Sequence, residues 1–220
     1  MSKIVIPNII LILPILLSNL LISNCSSGSN TETNMNDKNQ SVSGININDL
    51  AYEELSPEEI EGLKFVREEE KLARDTYITL YTKWGIRVFN NIAQSEQRHT
   101  DTIKLLLDKY ELVDPVITDT PGAFVNTDLQ NLYDTLTAKG DSSLVDALLV
   151  GALIEEVDIL DIQKEIDEHV DNEDIAFVYD NLLNGSYNHL RAFVKNLSRQ
   201  SVLYEPKLLS IEIFNGIINN

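Results

Sequence analysis

The sequence predicts an all-α protein built as two antiparallel helical hairpins joined by a long crossover, and three observations carry that expectation. Four long segments place apolar residues at alternating spacings of three and four, the period of one buried helix face. The connections inside the first and last pairs are about three and about four residues long, short enough to force antiparallel neighbours. About thirty residues with one short helical pattern separate the pairs, which is room for a crossover, and no strand of any length competes.

At 220 residues the chain has room for one domain with a proper core and an appended tail. Its formal net charge of −18 argues against nucleic acid and other polyanions, and fits a well-solvated body or a cation binder. Cysteine occurs once, at Cys25, so neither an intrachain disulfide nor a cysteine-based zinc site is available.

Residues 1–24 read as a signal peptide: Lys3, then an apolar run from Ile4 to about Leu17, then a short stretch leading to Cys25. An uncleaved anchor is the alternative, weakened by Pro7, Pro14, Ser18 and Asn19. Both put the body outside the cytoplasm, attached to a membrane. Residues 25–50 are rich in Ser, Asn and Thr with few large apolar side chains, and read as a flexible tether. The helical domain is expected over 51–220.

The first helix opens on a capping box, Ser56 with Glu59, and Pro57 at its first position; it runs to Trp84 and stops at Gly85. Its apolar seam is Leu63, Val66, Glu70, Ala73, Tyr77, Leu80 and Trp84, with Glu70 as the misfit. The second, about Val88 to Tyr110, carries Phe89, Ile92, Glu96, His99, Ile103, Leu106 and Tyr110, with two misfits. A short helix from about Asp128 to Ala138 is capped by Thr127 and stopped by Gly140. The third long helix, Leu144 to Glu168, is capped by Ser142 or Ser143, and Glu155 interrupts its seam between Ala152 and Ile159. The fourth, Glu173 to Ser198, places Ser186 and His189 between Leu182 and Phe193. A last short helix starts at Ser210.

In an antiparallel hairpin, residues equidistant from the turn share a level. Glu70 and His99 are equidistant from the first turn, and Glu155 with Ser186 or His189 from the second. The interruptions therefore fall in one layer: Glu70, Glu96, His99, Glu155 and His189. Such a layer is prohibitively repulsive unless a cation sits in it or some carboxylates are protonated. Carboxylate oxygen with imidazole nitrogen suits iron, manganese or zinc, and the i, i+3 pair Glu96 and His99 can grip one site. Plainer readings compete: Glu70 on a solvated face paired with Arg74 at i+4, one of Glu155 and Glu156 off the seam and solvated, His189 as a satisfied core histidine, and His169 as a helix-end residue.

The stretches "REEEKLARDTY", "NIAQSEQRH", "VGALIEEVDI" and "LLNGSYNHLRAF" resemble the ferritin-like diiron carboxylate proteins, the superfamily of ferritins and rubrerythrins, and most closely the branch catalogued as domain of unknown function 2202. The resemblance implies a four-helix bundle whose ligands fall on Glu70, Glu96 with His99, Glu155, and Ser186 with His189. Tyr77 resembles a tyrosine found near such centres. Ser186 stands where the superfamily has a fourth carboxylate, leaving Glu156 or Asp158 as reserve oxygen donors, or a gap for water or substrate, or a single metal. The "LISNC" stretch resembles the lipobox of bacterial lipoproteins, with Asn24 in place of the usual small residue; the resemblance implies lipidation at Cys25 and a place in the bacterial cell envelope. The implied cofactor is iron, as a di-iron pair, with manganese or zinc as alternatives. Partners are a metal ion and the membrane, without nucleic acid; a homodimer is the one assembly kept open. Three functions remain: an oxidase or peroxidase acting on iron, peroxide or another small substrate; a lipid-anchored bundle that binds a partner or stores metal without turnover; and a structural bundle whose polar layer is bonded internally.

Overall fold

A computed structural model of the chain describes residues 41–42 and 45–220; the signal-peptide reading, Cys25 and most of the tether lie outside these. The first described elements are a two-residue ladder, β1 (Ser41–Val42) against β2 (Ile45–Asn46), and a 3-10 turn at Ile47–Asp49. Everything regular after that is helix: α1 (Pro57–Trp84), α2 (Arg87–Lys109), α3 (Thr127–Asp141), α4 (Leu144–Glu168), α5 (Glu173–Arg199) and α6 (Ile211–Asn219). Among the described residues no helix is long and apolar enough to cross a membrane.

The helix ends follow local chemistry. Ser56 and Glu59 satisfy each other's backbone N–H groups at the start of α1, and Gly85 closes it in the left-handed conformation with φ of 65°. Gly85 and Ile86 alone link α1 to α2, so the two run antiparallel, packed along their lengths. Residues 169–172 link α4 to α5 in the same way, and contacts of α1 with α4 and of α2 with α5 bring the pairs together. The core between them holds Leu63, Val66, Phe89, Ile103, Leu148, Ile175 and Phe193, all essentially inaccessible. Ser143 caps α4 and Ser210 caps α6.

Three expectations need correction. α3 is capped by Asn126, whose side chain accepts from the Asp128 and Leu129 amides, rather than by Thr127. Gly140 does not stop α3 but lies within it, buried where Leu80 of α1 packs, and its carbonyl accepts from Trp84 Nε1 at 2.9 Å. The body also begins earlier than residue 51: Ile47 is 1 % exposed, and Lys109 Nζ donates to the Ile47 and Leu50 carbonyls.

The crossover between α2 and α3 is held by buried cations of α1. Arg67 reaches Asp114 at 3.0 Å. Lys71, 1 % exposed, donates to Asp75 at 2.5 Å and to the Thr120 and Ala123 carbonyls, while Asp75 also accepts the Gly122 amide. A buried lysine is tolerable only with its donors so engaged, and here they pin a loop lacking regular structure of its own.

Candidate metal centre

Each of the four long helices buries at least one carboxylate or imidazole in the interior. Glu70, Glu96, Glu155 and His189 are 2 %, 1 %, 0 % and 7 % exposed, and His99 is only slightly more accessible. The plain reading of Glu70 as a solvated partner of Arg74 therefore fails. Arg74 instead engages Asp75, Gln97 and Asp119.

Glu96 is the centre of the layer. Its Oε2 lies 2.8 Å from His99 Nδ1 and its Oε1 lies 2.8 Å from His189 Nδ1. Glu70 Oε2 stands 3.2 Å from His99 Nδ1, and Glu155 Oε2 stands 3.3 Å from His189 Nδ1. The result is two triads sharing Glu96: Glu70, Glu96 and His99; Glu96, Glu155 and His189. Within each, one donor atom per residue falls within 4.8 Å of the others. The imidazoles stack at 5.5 Å between centroids and 26° between planes.

The second triad has a telling detail. Glu96 Oε1, Glu155 Oε2 and His189 Nδ1 are buried without any hydrogen-bond partner, although they lie within 3.3 Å of one another as N···O pairs. These atoms approach without the angle a hydrogen bond needs. Buried donors without hydrogen bonds that lie within 4.8 Å of one another are what a cation requires, and carboxylate oxygen with imidazole nitrogen is a donor set for iron, manganese or zinc. The residues present fit a metal.

Without a cation, protons must do the compensating. Burial pushes the Glu70 carboxyl up to about 7 even against the pull of His99. Burial works to lower His99, but the Glu70 and Glu96 carboxylates overrule it and raise the imidazole to about 10. His189 is likewise held well above its ordinary value by Glu96 and Glu155, against burial. Burial would raise Glu96 too, yet His189 and His99 on either side hold it below the usual carboxylate range. Burial raises Glu155, with Glu96 adding to the effect and His189 opposing it.

Neighbouring groups orient the layer. Tyr77 donates its hydroxyl to Glu155 Oε1 at 2.5 Å, leaving Oε2 to face His189. Ser186 is buried at the same level and spends its hydroxyl proton on the Leu182 carbonyl of its own helix, 3.2 Å away. Beside it, Gly185 is required by a close approach: a Cβ there would meet His99 Cε1 at 2.6 Å and Nε2 at 2.7 Å.

The two reserve donors part company. Asp158, one turn beyond Glu155, is 3 % exposed and receives no hydrogen bond among the described residues. Burial raises its carboxyl well above the ordinary value, and Glu69, Glu155, Glu70 and Glu96 add to that. Glu156 is off the seam as expected, but it is buried rather than solvated, and the structure does not bring it to the layer. Its oxygens accept from Tyr204 Oη at 2.6 Å and from the amides of Lys207, Leu208 and Leu209. Glu69, whose charge helps raise the Asp158 carboxyl, and Asp161 were not among the expected residues. The signal was present: Glu155, Asp158, Asp161 and Glu165 recur at three, three and four along α4, one helix face.

Comparison with known proteins finds the profile of an uncharacterized protein domain, DUF2202, across residues 59–220. The chain belongs to the DUF2202 family. It is 52% identical over 174 residues to the uncharacterized protein MJ0754 of Methanocaldococcus jannaschii, covering 79% of this chain and 94% of that one. It is also similar to the crystal structure of that hypothetical protein, with a TM-score of 0.76 over 78% of this chain and 97% of the other. The DUF2202 region begins inside the capping box of α1 and contains every residue of both triads.

Proposed function

We propose that this DUF2202 chain is a membrane-anchored, ferritin-like four-helix bundle that holds a pair of transition-metal ions, iron first, in its Glu/His layer. The observation that carries the reading is the convergence of Glu96 Oε1, Glu155 Oε2 and His189 Nδ1, buried and without hydrogen bonds at separations where such atoms normally bond. Charge supports a pair of ions. Glu70, Glu96, Glu155 and Asp158 together offer four negative charges, which balance two divalent cations when both imidazoles are neutral.

In this reading Glu70 and His99 would hold one ion and Glu155 and His189 the other, with Glu96, common to both triads, available to each. Tyr77 fixes which Glu155 oxygen faces inward, and Gly185 lets His99 lie flat on α5. The apolar residues above and below the layer exclude bulk water. Ferrous iron bound there supplies redox chemistry toward dioxygen or peroxide. The Cys25 anchor keeps the body at the envelope membrane.

Anaerobic loading of the full chain with ferrous iron, followed by elemental analysis, tests this. About two irons per chain are expected from the two triads, and uptake is lost when Glu96→Ala and His99→Ala are combined. If wild type binds no metal and that double variant melts higher, the layer is structural. The raised His99 and His189 pKa values support this second reading, because imidazolium ions can neutralise the carboxylates. If iron binds but is oxidised no faster than in buffer and peroxide is not consumed, the protein binds metal without turnover.

A further inference from the structure

Of the five residues in the layer, the two imidazoles are the most exposed. The side chains of His99 and His189 are 12 % and 9 % accessible, against 3 %, 1 % and 0 % for Glu70, Glu96 and Glu155. Both rings turn Nδ1 inward to the carboxylates, so their far edges look outward between α2 and α5. Neither Nε2 makes a hydrogen bond among the described residues. An imidazole that holds a metal ordinarily gives its other N–H to a fixed acceptor, and here that edge is left open. Gly185 helps to keep it so: it is partly exposed, and His99 Cε1 and Nε2 lie against the place a side chain would take.

The surface around these edges has its own charge. Glu96 beside His189 and His99 beside Gly185 set α2 and α5 antiparallel, which lays residues 87–100 along residues 185–199. In a chain of net charge −18, those two stretches carry no carboxylate except the buried Glu96. Their exposed cations are Arg87, Arg98, Lys195 and Arg199, and none of the four pairs with a carboxylate among the described residues. By contrast Lys64, Lys83, Lys104 and Lys139 each touch one. The four unpaired cations share the outer side of the seam. Thr100 turns its hydroxyl to Arg67 of α1, so Arg98, on the other flank of His99, turns away from α1. Arg87 lies eleven residues before Arg98, about three turns back on the same stripe. Lys195 and Arg199 follow Gly185 by ten and fourteen residues, about three and four turns along the stripe that faces His99.

A small anion asks for donors that converge on a point, whereas these cations are spread over roughly 16 Å of helix. That spread suits the small, charge-steered contact of a transient protein partner. The chemistry of the layer supplies a reason for one. Reducing peroxide to two waters consumes two protons and two electrons, and a centre that has given up electrons regains them only from an external donor.

We infer that the outer α2–α5 face is the docking surface of an acidic one-electron carrier protein, which returns electrons to the centre through the open edges of His99 and His189. The electron role rests on the metal-centre reading; the docking does not.

Two measurements test this. In the first, chelator-treated, isotope-labelled full chain is titrated with an oxidised two-iron ferredoxin of acidic surface, whose cluster broadens nearby amide signals. Broadening is expected to be confined to residues 87–102 and 185–199 and to fade with added salt. Arg98→Gln combined with Lys195→Gln, both at exposed positions, should weaken binding about tenfold, while Lys64→Gln combined with Lys139→Gln stays within twofold of wild type. In the second, the reduced ferredoxin is mixed with ferric-loaded chain in a stopped-flow cell, and the Arg98 and Lys195 variant should slow electron transfer while reduction by the cationic dye methyl viologen is unchanged. Absence of binding, broadening elsewhere, or equal affinity in the two double variants overturns the docking surface. So does binding to phosphatidylglycerol vesicles that the Arg98 and Lys195 variant loses, because the face then lies on lipid. Docking on this face without electron transfer to loaded chain overturns the electron role. A chain that takes up no iron overturns the metal centre and the electron role together, and the titration alone then decides the docking.

Discussion

Glu155 and Glu156 are consecutive on α4, equally buried, and chemically identical, yet they live in opposite circumstances. Glu156 is saturated: a tyrosine hydroxyl and three consecutive backbone amides of residues 207–209 donate to it. Glu155 has one oxygen held by Tyr77 and the other, 3.3 Å from His189 Nδ1, without a hydrogen bond. The difference teaches how to separate a buried charge that the fold itself compensates from one that it does not. Glu156 is compensated by fixed dipoles supplied by the fold, so it asks for nothing more, whereas Glu155 shares its surroundings with carboxylates and imidazoles that need protons or a cation.

The comparison can be broken most decisively through metal binding. Glu96→Gln removes the residue common to both triads and is expected to weaken metal affinity by more than about 100-fold, as read by competition with a chromogenic chelator; an unchanged affinity would mean that Glu96 is no ligand. Glu156→Gln should leave metal affinity near wild type and cost about 2–4 kcal/mol of stability, since charge-assisted bonds are weakened and amides left short of an acceptor. Glu155→Gln should do the reverse, raising the chelator-treated melting temperature while reducing metal uptake. Equal melting temperatures for the two variants would erase the distinction between the neighbours.

A gentler perturbation acts through shape. Gly185→Ala pushes a methyl group into His99, and a displaced ligand ring should cost about tenfold in affinity with little change in metal-free helix content by circular dichroism. The smallest effect is on pH dependence. In the metal-free protein His99 is raised to about 10 from 6.5, so the stability it contributes is complete below about pH 6.5 and is lost as pH rises through about 10. Glu70, raised to about 7 from 4.5, moves in the same direction, its contribution fading as pH rises from 4.5 through 7. Chelator-treated protein should therefore melt lower at pH 9 than at pH 6, and metal loading should release protons and reverse that slope. A metal-free melting temperature that rises over this interval would contradict the protonated layer.

The helices and their shared polar layer were legible because both rest on short-range periodicity. Ser56, Gly85, Ser143 and Ser210 announce helix ends by local chemistry, and Glu70, Glu96, His99, Glu155 and His189 stand out because each interrupts an apolar seam. What stayed hidden depends on distant contacts. Nothing near Glu156 in the chain says that its partners lie at 204–209, so a carboxylate off the seam reads as solvated. Gly140 reads as a stop signal because Leu80, which packs over it, belongs to another helix. Glu69 sits in a run of three glutamates whose members cannot be told apart until α4 lies against them. Ser186 was visible as a departure, but not that Gly185 beside it makes room for His99.

The latch at Glu156 also has a meaning in time. A ribosome releases Glu156 a full 48 residues before Tyr204 and 53 before Leu209, so α4 carries an uncompensated acid through most of synthesis. Helices α1, α2 and α4 can associate in that interval, but burying Glu156 waits for the tail. The last segment made thus acts as the closing step of assembly, and a chain cut short before residue 204 keeps a charge that resists burial, a difference that quality-control proteases can act on.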